Sequence, residues 1–129
     1  MSTHCVISCH TEDGYDAIYV HWDGYPSYMY PMLRDYYGTE ERAKALVAVG
    51  DASIIDKRLL PSKDSGHCFD HKEDDVCVFY HRDRGEELNV FRCSQKDELF
   101  EQEFYVYIFE DGQWKAYEGG KEVADYAQY

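Results

Sequence analysis

Positive charge is scarce in this chain. Its 129 residues hold 13 Lys and Arg against 26 Asp and Glu, for a formal net charge of −13. Nucleic-acid binding of the ordinary kind needs a basic footprint, so this balance argues against it. The deficit deepens along the chain: residues 1–60 carry 9 acidic and 5 basic side chains, residues 61–129 carry 17 and 8. Long hydrophobic runs are missing too. No segment is long enough to span a bilayer, and the first residues follow no signal-peptide pattern, which predicts a cytoplasmic protein without membrane contact. The common phosphate and nucleophile motifs are absent: there is no G-x-G-x-x-G, no P-loop and no G-x-S-x-G. The cysteines include no C-x2-C pair, and 5 of them in a reducing compartment predict free thiols rather than a disulfide framework.

What is present points to a folded domain. Hydrophobic residues make up 44% of the chain and aromatic residues 16%, with 13 tyrosines. That is too apolar for an acidic disordered tail. A chain of this length buries roughly two-thirds of its unfolded surface, enough for a core without metal or disulfide staples. Tyrosine suits half-buried strand positions as well as interfaces and ligand walls.

Residues 4–10 read as a strand, Glu12, Asp13 and Gly14 as a hairpin turn, and residues 16–22 as its partner. In that second strand Ile18, Val20 and Trp22 share one face, Tyr19 and His21 the other. A helix follows over 27–37, with Pro31 setting its ordered start near Tyr30. Thr39 caps a second helix over 40–49, which Gly50 closes. Residues 61–75 form a long polar loop. Strands are expected over 76–81 and 88–92, and a helix opened by Ser94 and Asp97 runs to about Gln102. Residues 103–109 are apolar on both faces and read as a central strand. Asp111 and Gly112 turn it into a partner over 113–117. The expected architecture is α+β, an antiparallel sheet of five or six strands with helices mainly on one face, in a single domain over 1–129 whose residues 118–129 read as a loosely ordered end.

Two strands are expected to end alike, in His21-Trp22-Asp23 and His81-Arg82-Asp83. If the strands are neighbours, both triplets lie on one sheet edge. Arg82 and Arg84 would fork onto an anion, Trp22 and Tyr25 would stack on a base, and Gly24 and Gly85 would let the backbone approach. The candidate ligand set is therefore His21, Trp22, Asp23, Tyr25, His81, Arg82 and Arg84. An enzyme reading would use His21 and His81 with Asp23 and Asp83 as proton carriers. A plainer reading makes HWDGYP a packed corner, with Asp23 capping a turn, and HRDRGEE a solvated turn whose arginines pair with Glu86 and Glu87. Zinc is a further alternative, with Cys5, Cys9 and His10 beside His4 at the start and His67, Cys68 and His71 in the loop. Their spacing matches no standard finger, and Cys5 and Cys9 fall on one strand face with Ile7, as core residues would. No cofactor is expected.

The stretches AIYVHWDGYP, with the segment ending Gly50-Asp51-Ala52-Ser53, then GHCFD, FYHRDRGE and EFYVYIFEDGQWKAY together resemble a family of small uncharacterised bacteriophage and mobile-element proteins. The resemblance spans about two-thirds of the chain and departs from the pattern at THCVISCH. It implies no established chemistry. What it implies is a context, an accessory or counter-defence protein that works by binding. Two versions follow: sequestration of a small anionic nucleotide by a homo-oligomer, or occupation of a host defence protein's basic groove by an acidic surface. A phosphodiesterase-like enzyme is the third expectation.

Overall fold

The computed structural model describes residues 3–129; Met1 and Ser2 lie outside the described residues. Strand β1 (Cys5–Thr11) and strand β2 (Gly14–Val20) form the expected hairpin, paired from Cys5 with Val20 to Thr11 with Gly14. Helix α1 (Pro26–Tyr36) starts earlier than Pro31 suggested. Pro26 sits in its first turn, where a missing N–H costs nothing and the fixed φ suits the helix. The Tyr25 carbonyl accepts from the Tyr28 and Met29 N–H groups. Helix α2 (Glu40–Ala48) is capped by Thr39, whose hydroxyl accepts from the Arg42 N–H, with Glu40 and Glu41 at its positive end. Gly50 at φ 92° closes it.

Strand β3 (Ala52–Ile54) and strand β4 (Val78–Phe79) bracket the irregular segment 55–77. The expected strand over 76–81 is cut short, because helix α3 (Tyr80–Arg84) takes its second half. Gly85 in the left-handed region, φ 76°, ends that helix by donating to the His81 carbonyl. Strand β5 (Phe91–Cys93) is followed by helix α4 (Lys96–Phe100). The Glu98 carboxylate accepts from the Ser94 and Gln95 N–H groups, so the capping pair lies one residue beyond the expected Ser94 and Asp97. Strand β6 (Tyr105–Glu110) and strand β7 (Gln113–Glu118) form a hairpin with Asp111 at φ 56° and Gly112 at φ 78°, the two positive angles of a type I′ turn. Strand β8 (Lys121–Glu122) and a 3-10 turn (Tyr126–Gln128) finish the chain. Tyr126 stacks on Tyr30 of α1 at 4.7 Å.

The sheet has eight strands in the order β4-β3-β2-β1-β6-β7-β8, with β5 also paired to β2. It is mixed, not antiparallel: β1 with β6 and β2 with β3 are parallel. Residue alternation divides it into two faces. Cys5, Ile7, Cys9, Ile18, Val20, Tyr107, Phe109 and Trp114 pack against α1 and α2 in the main core. Val6, Ala17, Val106, Ile108 and Tyr117 point the other way, under Leu99 of α4. Helix α4 has only 5 residues, so it covers part of this second face and leaves the end near Tyr19 open.

Candidate functional site

The HWDGYP corner is pinned from several sides. Past the end of β2, His21 and Trp22 still donate to the Ala52 and Ser53 carbonyls. The Gly24 N–H donates to Thr3 at 2.8 Å, and the buried Tyr107 hydroxyl donates to the Gly24 carbonyl at 2.7 Å. A Cβ on Gly24 would stand 2.7 Å from the Cys5 Cβ and 2.8 Å from the His4 backbone. Asp23 turns the chain at φ 59°. The corner leaves Trp22 42% and Tyr25 38% exposed; Trp22 therefore does not join Ile18 and Val20 in the core.

His21 belongs to a cluster that the register creates. Cys5 pairs with Val20, so His4 lies opposite His21, and Tyr19 shares their face. The Tyr19 hydroxyl is 2.8 Å from Nδ1 of each imidazole, and the His4 Nδ1 also lies 3.0 Å from the His21 carbonyl. A carbonyl only accepts, so His4 Nδ1 carries a proton and donates to it, while the direction of the Tyr19–His21 bond follows the His21 tautomer. Burial first, then Tyr80, Glu103 and Asp51, push the Tyr19 phenol above its ordinary value. It stays neutral. His4 was not in the candidate ligand set; fixing the two-residue turn at Glu12 and Asp13 would have paired it with His21.

The second triplet stands elsewhere. Val20, Ala52 and Phe79 lie side by side, but β2 runs parallel to β3 and β4 runs antiparallel. The chain therefore leaves this row in opposite directions, toward Ser53 after Val20 and toward Asp51 after Phe79. Among the described residues no hydrogen bond, ion pair or ring contact joins His21, Trp22 or Asp23 to His81, Arg82 or Asp83. The expected shared edge does not form.

Arg82 and Asp83 instead build a buried latch for the long loop. Arg82 pairs with Asp83 through Nε at 2.9 Å and Nη2 at 3.0 Å, donates to the Leu59 and Cys77 carbonyls, and lies over the Phe79 ring. Asp83 also accepts from the Phe79 N–H at 2.8 Å. Burial works to raise its carboxyl, but Arg82, the Phe79 N–H and His67 together hold it below the ordinary value. His67 fixes the loop: its Nδ1 accepts from the Glu73 N–H at 3.0 Å, so in the neutral ring the proton sits on Nε2, 3.2 Å from Asp83. That approach is close enough for an ion pair but misses hydrogen-bond geometry. Arg84 pairs with Glu86 and lies 4.2 Å from the Phe69 ring centre, and the His81 Nδ1 is 2.7 Å from the Glu86 carbonyl.

The zinc alternative loses its geometry. Cys5 and Cys9 sit inside the core, where burial pushes the Cys9 thiol up to about 12, while His10 is exposed. Cys68 and His71 exchange backbone hydrogen bonds, and His67 turns to Asp83. Among the described residues no three His, Cys, Asp or Glu side chains group as metal ligands.

A cavity of about 260 Å³ opens on the uncovered sheet face beside Tyr19. Val6, Ala17 and Tyr19 of the sheet line it together with Asp51, Asn89, Phe91, Gln102 and Glu103. Sequence reasoning placed none of these residues in the candidate ligand set. Comparison of the chain with protein-family models, with curated proteins and with solved structures gives no match. No helix among the described residues is long and apolar enough to cross a membrane.

Proposed function

We propose that the protein acts by binding, as an acidic accessory protein that occupies the basic, nucleic-acid-binding surface of a partner protein. The observation that carries this reading is the state of the cations. Among the described residues, nine of the 13 Lys and Arg pair with carboxylates of their own chain: Arg34, Lys44, Arg58, Lys72, Arg82, Arg84, Arg92, Lys96 and Lys115. The two arginines expected to hold a nucleotide phosphate are in this set. Little positive charge remains to attract an anion, while the acidic excess faces solvent through groups such as Asp74, Asp75 and Glu87. A field of that sign steers and orients a basic partner. The resemblance to bacteriophage and mobile-element proteins makes a host defence protein the proposed partner. Glu73 is not part of the docking surface, because Arg58 and Ser62 already occupy its carboxylate.

A thermal-shift panel tests the sign of the ligand. Cyclic and linear nucleotides leave the melting temperature unchanged, and a nona-arginine peptide raises it at low salt but not at high salt. A nucleotide that raises it in the wild type and not in Arg84→Ala would reverse the proposal in favour of sequestration.

A further inference from the structure

The cavity beside Tyr19 is small and its polar lining is one-sided. At about 260 Å³ it falls below the range, roughly 300–1,000 Å³, of cavities that take drug-sized ligands. A side-chain head group suits it better than a whole nucleotide. Its polar walls are the carboxylates of Asp51 and Glu103, the amides of Asn89 and Gln102 and the Tyr19 phenol, with no Lys or Arg among them.

The two carboxylates lack a counter-charge. Asp51 accepts only from neutral donors, the Tyr19 N–H at 2.9 Å and the Asn89 amide at 2.7 Å. Glu103 is half-buried, and among the described residues no hydrogen bond or ion pair reaches its carboxylate. Asp16, Asp56, Glu73, Asp83 and Glu110, also withdrawn from water, each meet a Lys or Arg, whereas Asp23 and Glu98 are half-buried without one. Carboxylates withdrawn from water are stable when paired with a cation, so two that line one concavity without a counter-charge favour an incoming one. The lining also holds an aromatic ring. Phe91 pairs with Ala17 across β5 and β2, and the residue is 37% exposed. A planar guanidinium stacks on such a ring while its edge forks onto a carboxylate; a lysine ammonium offers no matching plane.

We infer that this cavity is a recognition pocket for an arginine side chain of the partner, its guanidinium held between the Phe91 ring and the Glu103 carboxylate, with Asp51 as the second negative charge. The inference rests on the proposed basic partner and adds the residue chemistry that anchors it.

The probe is N-acetyl-arginine methylamide, titrated into the intact labelled protein and followed by NMR. The neutral isostere N-acetyl-citrulline methylamide and the polyamine spermidine serve as comparisons. Arginine gives saturable shifts centred on Tyr19, Asn89, Phe91 and Glu103, citrulline gives none, and binding weakens about tenfold or more in Glu103→Gln and in Phe91→Leu. Both positions are partly exposed, and unchanged melting of the variants separates lost binding from lost fold. Absent shifts, equal shifts with citrulline, or full binding by both variants overturn the pocket. Tighter binding of spermidine at the same residues overturns the assignment to a protein side chain. Scoring the same variants for displacement of DNA from a basic protein separates the two readings. Arginine binding without displacement sinks the basic-partner proposal alone; displacement without arginine binding sinks the pocket alone.

Discussion

Replacing Arg82 with methionine keeps an unbranched stem over Phe79 and removes the guanidinium. The change deletes the paired bonds to Asp83 and the donations to the Leu59 and Cys77 carbonyls. It leaves the Asp83 side chain, 5% exposed, with the Phe79 N–H and His67 as its remaining partners. Removing one member of a buried ion pair costs about 3–5 kcal/mol. The Arg82 side chain is 22% exposed, and water at that end screens the loss, which places the expected cost near about 3 kcal/mol. Urea unfolding followed by fluorescence of the buried Trp114 reads this directly. At a slope of about 2 kcal/mol/M the midpoint falls by about 1.5 M. Adding Asp83→Asn to the same chain costs less than the sum of the single changes, because one interaction has been removed twice. A midpoint shift worth less than about 0.5 kcal/mol, together with lost nucleotide binding, would refute the latch and return Arg82 to a ligand site.

Three further outcomes follow from the same geometry. Gly24→Ala drives a Cβ into the Cys5 side chain and the His4 backbone, and costs about 1–3 kcal/mol in urea unfolding; an unchanged midpoint would mean the corner is not tightly packed. Asp83 is depressed by Arg82 and its neighbours, and Glu73 is held at about 2 by the Ser62 hydroxyl and N–H, with Ser65 and Arg58 adding to them. Depressed carboxyls stabilise the folded state above their unfolded values of about 4 and lose that contribution as pH falls through the folded values. Protection of the amides in residues 61–75, taken relative to the intrinsic exchange rate, should fall below about pH 4 while the central strands stay protected, and loop protection unchanged between pH 6 and 3 contradicts this. In native protein a disulfide reagent reaches Cys68 and, more slowly, Cys93, whereas Cys5, Cys9 and Cys77 react only on unfolding. Fast labelling of Cys9 would place it outside the core.

The local devices of the fold were legible in the sequence, and the tertiary ones were not. Glu12-Asp13-Gly14 and Asp111-Gly112 located both hairpins because such residues favour turns, and Gly14, Asp111 and Gly112 take the positive φ there. Thr39 and Gly50 bounded α2 through its caps. The apolar faces of residues 103–109 placed β6 inside the sheet, between β1 and β7. The parallel pairings of β1 with β6 and β2 with β3 leave no local mark, so the sheet was expected to be antiparallel and smaller. The run VCVFYH reads as a strand until Asp83 turns back to the Phe79 N–H and Gly85 closes a helix, and the opposite directions of β2 and β4 separate the two His-x-Asp triplets. Arg82 looked available for a ligand because its acceptors, Leu59 and Cys77, lie 23 and 5 residues away. The cavity escaped notice because Asp51, the pair Asn89 and Phe91, and Glu103 come from three separate segments.

The measurement that reaches the central proposal most directly is competition against nucleic acid. Restriction endonucleases serve as basic DNA-binding partners, each loaded with its fluorescent recognition duplex in the absence of divalent cation, and the acidic protein is titrated in across a range of salt. The account predicts release of the duplex by the wild type, with an affinity that falls steeply as salt rises and falls again in Asp74→Asn/Asp75→Asn/Glu87→Gln. No release from any of the endonucleases, or release indifferent both to salt and to those three charges, would contradict it.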